Sequence, residues 1–229
     1  MGRYGIFYVD HYQKIQQEIN LHIYAFGSVC RGEIDNQSDI DLLAVVEGYD
    51  DRFDSSIYSI YSYKRLEELW KEGNPFAWHL ASEAKNIFSS NGEDFLSQLG
   101  HPAAYQKCKE DCRKFYNLYC KSVESISSGS CSLVFELSTI FLAIRNFATC
   151  FLLGKKRIQN FSRRSALQMD EQPIKIHPDT FKLLERSRIL STRGTGAIIK
   201  HDEVKTSLED IYSIKTWMSD LLNEVEKNG

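Results

Sequence analysis

The 229-residue sequence lacks an excess of positive charge. Its 28 lysines and arginines face 31 aspartates and glutamates, and the formal net charge is −3. A protein that grips a nucleic-acid duplex needs a clustered basic surface to neutralise the phosphates. The charge balance therefore argues against a general duplex-binding protein.

Long hydrophobic runs are lacking as well. The most apolar segment, residues 133–153, is interrupted by Glu136, Arg145 and Asn146, whereas a membrane span needs about 18 largely uninterrupted apolar residues. The N-terminus has no cationic stretch followed by an apolar core, so no secretory signal is visible. We expect a buried helix at 133–153 and a cytoplasmic protein without a membrane span.

The six cysteines include no CxxC pair. A chain of this size, with 42% hydrophobic residues, is able to build a core without disulfide bonds, so reduced thiols are expected. Charged residues make up 26% and aromatic residues 12%. These values are those of an ordinary globular protein and exclude disorder and low complexity.

The first hundred residues mix helical and strand patterns. From residue 8 to residue 20, apolar residues recur at intervals of three and four residues, which predicts an amphipathic helix. Residues 22–26 and 39–46 have the composition of strands, and residues 59–72 have the pattern of a helix. Residues 76–88 alternate in polarity and predict a third strand.

After residue 102 the pattern is helical throughout. The predicted helices span residues 102–126, 131–153, 178–190 and 205–227. The predicted fold class is α+β, with an α/β domain at 1–100 followed by an all-α helical bundle at 101–229.

The segment Phe26–Leu43, FGSVCRGEIDNQSDIDLL, contains the most informative pattern. A predicted strand leads into Gly27 and Ser28, at what we expect to be a helix N-terminus. Glycine lets a phosphate approach the backbone, the serine hydroxyl is a donor, and the following amides face an anion. This part of the sequence predicts a phosphate-binding turn.

Asp39 and Asp41 follow on the next predicted strand. Side chains two residues apart on a strand project from the same face, about 7 Å apart. Two carboxylates so placed suit divalent cations. A phosphate site beside a metal site is what in-line phosphoryl or nucleotidyl transfer requires, because Mg²⁺ neutralises and orients the triphosphate.

Two metal ions imply a third ligand, and the predicted third strand offers His79 and Glu83. Glu83 is a candidate metal ligand or general base, whereas His79 is a candidate base near neutral pH. The residues alone leave this choice open.

This pattern resembles the signature of the DNA polymerase β-like nucleotidyltransferase superfamily. That signature has a hydrophobic strand, Gly-Ser, a short helix with Arg-Gly, a Ser-Asp step, and Asp-x-Asp in a second strand. The matching residues are Gly27, Ser28, Arg31, Gly32, Ser38, Asp39 and Asp41.

The resemblance implies that Asp39 and Asp41 bind Mg²⁺ and that Gly27 and Ser28 hold the β- and γ-phosphates. Arg31 and Ser38 are counted with the nucleotide-binding residues, although Arg31 is also compatible with a plain surface charge. A third acid is implied on a later strand, near His79 and Glu83. If Glu83 fills that position, it is the third metal ligand of a site with two Mg²⁺ ions.

The resemblance also implies a small mixed sheet in the first domain. The helical second half is similar in kind to the C-terminal bundles of aminoglycoside nucleotidyltransferases and to HEPN-like domains. Arg145 and Asn146 resemble the start of the HEPN ribonuclease motif, but no histidine follows within the next six residues. We therefore do not expect ribonuclease activity.

The expected reaction is Mg²⁺-dependent transfer of a nucleoside monophosphate from an NTP, with ATP favoured, to an acceptor hydroxyl, releasing pyrophosphate. The acidic net charge favours a small-molecule acceptor such as an antibiotic. Two alternatives remain: a toxin- or antitoxin-type nucleotidyltransferase acting on tRNA or a protein, and a catalytically silent NTP- or partner-binding module. The sequence does not indicate an oligomeric state.

Overall fold

A computed structural model describes residues 20–33, 40–48 and 50–227. The chain forms two compact units that divide between Ala104 and Tyr105. The helix that the sequence predicts from residue 8 lies outside the described residues. The domain assignment to 1–100 and 101–229 stays a prediction.

The first unit contains a small mixed sheet of four described strands, as predicted. The strands are β1 (Leu21–Phe26), β2 (Asp41–Val46), β3 (Tyr58–Ser62) and β4 (Lys85–Ser89), in the order β3-β2-β1-β4. Strand β1 is antiparallel to both β2 and β4, and β2 is parallel to β3. Alternation along β1 buries His22, Tyr24 and Phe26 on one face.

The register brings three points of the chain to one end of the sheet. Phe26, the last residue of β1, pairs with Asp41, the first residue of β2. Ala25 pairs with Lys85, the first residue of β4. The turn after β1, the start of β2 and the start of β4 therefore lie side by side.

The predicted strand at 76–88 is wrong over most of its length. Residues Pro75–Glu83 form a helix, α2, and only Lys85–Ser89 are a strand. Asn74 caps this helix by accepting a hydrogen bond from the Phe76 amide at 2.9 Å, and Pro75 occupies the first turn, where its missing N–H costs nothing. Pro75 lies between the predicted helix at 59–72 and the predicted strand at 76–88, and it begins a helix.

The predicted helix at 59–72 begins later than expected. Residues Tyr58–Ser62 form β3, and helix α1 spans Tyr63–Lys71. Ser62 caps α1 by accepting from the Arg65 amide at 3.2 Å. Because β3 is rich in tyrosine and isoleucine, its composition suits a strand paired with β2.

The core of the first unit lies between the sheet and helices α1 and α2. Its fully buried side chains include Tyr24, Leu43, Leu66 and Leu80. A short helix, α3 (Phe95–Gln98), adds Leu96 to this core. The packing fixes α2 against the face of the sheet that carries Phe26.

The regular secondary structure of the second unit is all helical among its described residues, as predicted. Its helices are α4 (Cys108–Ser127), α5 (Leu133–Phe151), α6 (Pro178–Arg193) and α7 (His201–Lys227). A π-helical turn, Leu152–Lys156, continues α5. All six cysteines of the chain are free thiols.

Helix α5 is the centre of the second unit. Ile140, Ile144 and Phe147 are almost fully buried, and Tyr119 of α4 donates a 2.6 Å hydrogen bond to the Ile211 carbonyl of α7. In the described part of the chain, residues Leu133–Lys156 alone are long and apolar enough to cross a membrane by composition, and 72% of their most apolar window is buried. Such burial is typical of a core helix.

Candidate active site

The turn after β1 begins at Gly27, which has a φ of +80°. Its hydrogen bonds run from the Cys30 amide to the Gly27 carbonyl at 3.1 Å and from the Glu33 amide to the Ser28 carbonyl at 2.9 Å. The sequence predicts a helix N-terminus here, and that prediction is wrong for residues 28–32, which form consecutive turns. The positive φ of Gly27 turns the chain back before a helix begins.

The first amides of this turn are available to an anion. Within the described residues, the backbone donors of the turn are the amides of residues 30–33. The amides of Ser28 and Val29 precede these and take no part in the bonds of the turn. Ser28 is buried. Successive backbone amides in a turn form an anion-binding concavity, which suits the predicted phosphate site.

Asp41 lies directly against Gly27. A Cβ atom at Gly27 would overlap Asp41 Oδ2 and lie 3.1 Å from Asp41 Cγ. Asp41 itself is exposed, at the start of β2. The sequence predicts that these two residues share a site, and the structure brings them together. The predicted neighbours Ser38 and Asp39 lie outside the described residues.

Arg31 is held by two carboxylates. Its Nη1 lies 2.5 Å from Glu83 Oε2, and its Nε lies 3.0 Å from Glu33 Oε2. The side chains of Arg31 and Glu83 are 19% and 9% exposed, so this ion pair is largely shielded from water. Arg31 therefore binds an acid in the free protein and is not a plain surface charge.

His79 and Glu83 lie together, but on a helix and not on a strand. They are four residues apart on α2, and His79 Nε2 lies 2.8 Å from Glu83 Oε2. The His79 ring packs edge-on against Phe26 at a centroid distance of 5.5 Å. The sequence treats the two residues as alternatives, whereas the structure joins them in a hydrogen bond.

Cys30 lies among the charged groups of this site. Burial raises the pKa of the Cys30 thiol, and the charges of Glu83 and Asp41 raise it further. Lys85 and Arg31 act in the opposite direction. Cys30 therefore lies within the range of the charges of all four residues.

The described residues contain no group of three histidine, cysteine, aspartate or glutamate side chains that could hold a metal ion. Glu83, the predicted third metal ligand, is instead bound by Arg31 and His79. Asp39, the other predicted carboxylate ligand, lies outside the described residues. Asp41 remains a hard oxygen ligand of the kind that Mg²⁺ prefers.

Sequence reasoning missed the part that Glu33 and Lys85 have in this region. Glu33 binds Arg31 across a tight turn, and Lys85 enters the site because β4 begins beside β1. A charged pair two residues apart in a turn gives no periodic signal. The sequence predicts that this strand begins at residue 76, whereas it begins at Lys85. The prediction therefore did not place Lys85 beside β1.

No curated protein matches this chain. Residues 11–98 match a family described as Nucleotidyltransferase domain. This match contains the turn, Asp41, Arg31, His79 and Glu83.

Two solved structures are similar to the chain. The first is a spectinomycin adenyltransferase, AAD(9), from Enterococcus faecialis, with ATP and spectinomycin: it is 12% identical, with 92% of this chain and 98% of that chain covered and a TM-score of 0.46. The second is a nucleotidyltransferase-like protein from Exiguobacterium sibiricum 255-15: it is 16% identical, with 95% and 73% covered and a TM-score of 0.39.

The sequence signature, the mixed sheet and the matched family agree with one another. Residues 11–98 of this chain are thus similar to the nucleotidyltransferase domain family, and this match supports a nucleotidyltransferase enzyme.

Proposed function

We propose that the protein transfers a nucleoside monophosphate from an NTP, with ATP as the donor, to a hydroxyl group of a small molecule. The observation that supports this most is the contact of Asp41 with Gly27 at the start of an anion-binding turn. A carboxylate beside a phosphate site is the arrangement that a metal-bridged triphosphate requires.

The turn is proposed to hold the triphosphate. The amides of Ser28 and Val29 and the Ser28 hydroxyl are the proposed donors, and Gly27 leaves room for the Asp41 carboxylate beside the backbone. Arg31 lies on the same turn and supplies a fixed positive charge. These groups orient the α-phosphate toward the acceptor and hold the leaving pyrophosphate.

Asp41, together with Asp39, is proposed to hold Mg²⁺, which when bound supplies charge neutralisation of the triphosphate. Carboxylate oxygens are the preferred ligands of this ion. Glu83 is proposed as a third ligand only if it leaves Arg31, so the number of Mg²⁺ ions, two in the sequence hypothesis, depends on that exchange.

The reaction forms a bond between the acceptor oxygen and the α-phosphorus and breaks the bond to the bridging α,β-oxygen, so pyrophosphate leaves. The acceptor proton passes to the pair formed by Glu83 and His79. Their shared hydrogen bond makes them one proton-accepting unit, in which one residue takes the proton and the other orients it.

A small-molecule acceptor is supported by the net charge of −3, which does not favour a nucleic-acid grip. Transfer to tRNA or to a protein is the alternative enzymatic proposal. A cytoplasmic location is also proposed.

A catalytically silent NTP- or partner-binding module is the second candidate. It is favoured by one specific observation: Glu83, the predicted third ligand, is bound to Arg31. In that case the turn still binds nucleotide, but no acceptor is modified.

The test is transfer of label from NTPs labelled at the α-phosphate. The purified protein is incubated with Mg²⁺ and each of four NTPs, with aminoglycosides, spectinomycin, total tRNA or cell lysate as acceptor. Label is expected on a small molecule, with ATP as donor and with pyrophosphate released. Label on tRNA or on a protein would support the alternative acceptors.

Asp41→Asn is expected to abolish transfer while leaving the thermal unfolding curve unchanged. Asp51→Asn is the matched control, since Asp51 is exposed in the loop after β2. Turnover that survives in Asp41→Asn would contradict the assignment. NTP binding without any labelled acceptor would favour the silent module.

A further inference from the structure

Arg31 is engaged with carboxylates at the place where the proposed function needs it for phosphate. Its guanidinium lies 2.5 Å from Glu83 and 3.0 Å from Glu33. The Arg31 amide donates to the carbonyls of Gly27 and Ser28 at 3.3 Å and 3.2 Å. The backbone of Arg31 is therefore fixed beside the phosphate-binding amides, and only its side chain is directed toward Glu83.

A guanidinium binds carboxylates and phosphates with the same planar set of N–H donors. While Arg31 Nη1 is bonded to Glu83, Arg31 binds a phosphate less strongly. The triphosphate carries more negative charge than one carboxylate, so it is a strong competitor for Arg31. Nucleotide and Glu83 are thus alternative partners of one side chain.

We infer that Arg31 is an exchangeable latch on Glu83: it holds Glu83 in the free protein and transfers to the triphosphate when nucleotide binds. This inference rests on the proposed function. Glu83 keeps its hydrogen bond to His79 after the exchange, so it stays oriented while one oxygen position becomes open. The acceptor side of the site is therefore completed only after the nucleotide is in place.

The latch has a consequence for the affinity of the protein for a triphosphate. If Glu83 competes for Arg31, removing the charge of Glu83 tightens the binding of a triphosphate. Hydrogen bonds between charged groups are stronger than those with a neutral partner, so the neutral amide of a Glu83→Gln variant releases Arg31 more readily. We expect the variant to bind a triphosphate about tenfold more tightly. This change in affinity is smaller than the full contribution of one hydrogen bond between charged groups.

The test is calorimetric titration with inorganic tripolyphosphate, without metal and without acceptor. Wild type, Glu83→Gln, Arg31→Gln and the double variant form a thermodynamic cycle. Glu83→Gln is expected to bind about tenfold more tightly than wild type. The same substitution in the Arg31→Gln background is expected to change the affinity less than about twofold, because no latch remains.

Glu93→Gln is the control for net charge. Glu93 is exposed and accepts from Gln98 at 2.8 Å, away from Arg31. It is expected to leave the affinity for tripolyphosphate unchanged. If Arg31→Gln does not give a wild-type far-ultraviolet spectrum, Arg31→Lys takes its place in the cycle. Lysine has no planar fork to divide between two partners, so the gain from Glu83→Gln then falls below about threefold.

The outcomes separate the latch from the proposed function. An equal gain from Glu83→Gln in both backgrounds overturns the latch, because the effect is then general electrostatics. A weaker or unchanged affinity of Glu83→Gln overturns it as well. Tripolyphosphate that binds none of the variants contradicts the phosphate-binding turn itself, and the latch with it. Binding with an unchanged Glu83→Gln leaves the proposed function intact.

Discussion

Asp41 Oδ2 occupies the position that a side-chain carbon at Gly27 would need. The two residues come from different strands, and the pairing of Phe26 with Asp41 brings them together. A glycine is therefore needed at position 27 for two reasons. Its φ is +80°, and Asp41 fills the space that a side chain would need. The carboxylate reaches the backbone of the turn after β1 because no side chain separates them.

Gly27→Ala is expected to disrupt the site. Its left-handed φ alone costs about 1–2 kcal/mol for an L-residue, and the overlap with Asp41 displaces the carboxylate. The free energy of unfolding, measured by urea denaturation, falls, and tripolyphosphate binding is lost. Gly32→Ala is the matched control, since Gly32 has a φ of +75° but no atom within 4 Å of its Cβ position. Equal loss of binding in both variants would contradict the role of the Asp41 contact.

Glu83→Gln and His79→Gln identify the group that accepts the proton. If Glu83 is the base, Glu83→Gln lowers kcat by about 100-fold or more. His79→Gln has a smaller effect, because the glutamine amide is still able to donate to Glu83. A larger loss in His79→Gln than in Glu83→Gln would make His79 the base. Steady-state kinetics with labelled nucleotide measure both, and Glu93→Gln is the control.

Asp94 is expected to make part of the stability depend on acid pH. Burial alone would raise the pKa of its carboxyl group, but hydrogen bonds from Ser97 and Tyr24 outweigh burial, and the pKa is lowered. A lowered pKa in the folded state stabilises the protein above the unfolded pKa of about 3.9. This contribution is lost as the pH falls through the folded pKa.

Asp94→Ala is therefore expected to cost about 1 kcal/mol at pH 7, because Asp94 caps helix α3. The difference from wild type shrinks as urea denaturation is repeated below pH 4. Asp51→Ala, in an exposed turn, is the control for the change of charge. A difference that stays constant from pH 7 to pH 3 would contradict the assignment of the lowered pKa.

Substitutions at Arg157 and Gly194 are expected to change the free energy of unfolding in opposite directions. Both close helical segments with left-handed backbones, at φ values of 57° and 66°. Arg157→Gly is expected to raise the free energy of unfolding by up to about 1 kcal/mol, because glycine relieves the left-handed strain. Gly194→Ala is expected to lower it by about 1 kcal/mol. Chemical denaturation measures both, and changes of the same sign would refute this expectation.

The sequence pattern predicted β1, β2 and the helical second half because each has strong local periodicity. It failed at α2, where the apolar residues Phe76, Trp78 and Leu80 stand at every second position, as in a strand. The helix-start signals of this segment are Asn74 and Pro75, which directly precede it. Local propensity was not decisive there, because capping and burial of Ala77 and Leu80 favour the helix.

The candidate site was predictable in part. Gly27 and Asp41 were recognised from the spacing of the signature, since the strands that carry them are adjacent in sequence. The pairing of Arg31 with Glu83 was not predictable, because these residues are 52 positions apart. Their contact depends on how α2 packs on the sheet, and no short-range pattern encodes that packing.

The position of β1 inside the sheet has a consequence for biosynthesis. His22 of β1 lies 3.1 Å from the carbonyl of Glu93, 71 residues later in the chain. Contacts so distant in sequence form slowly. A nascent chain exposes one edge of β1 until β4 has left the ribosome, and during that interval the sheet unit depends most on chaperones.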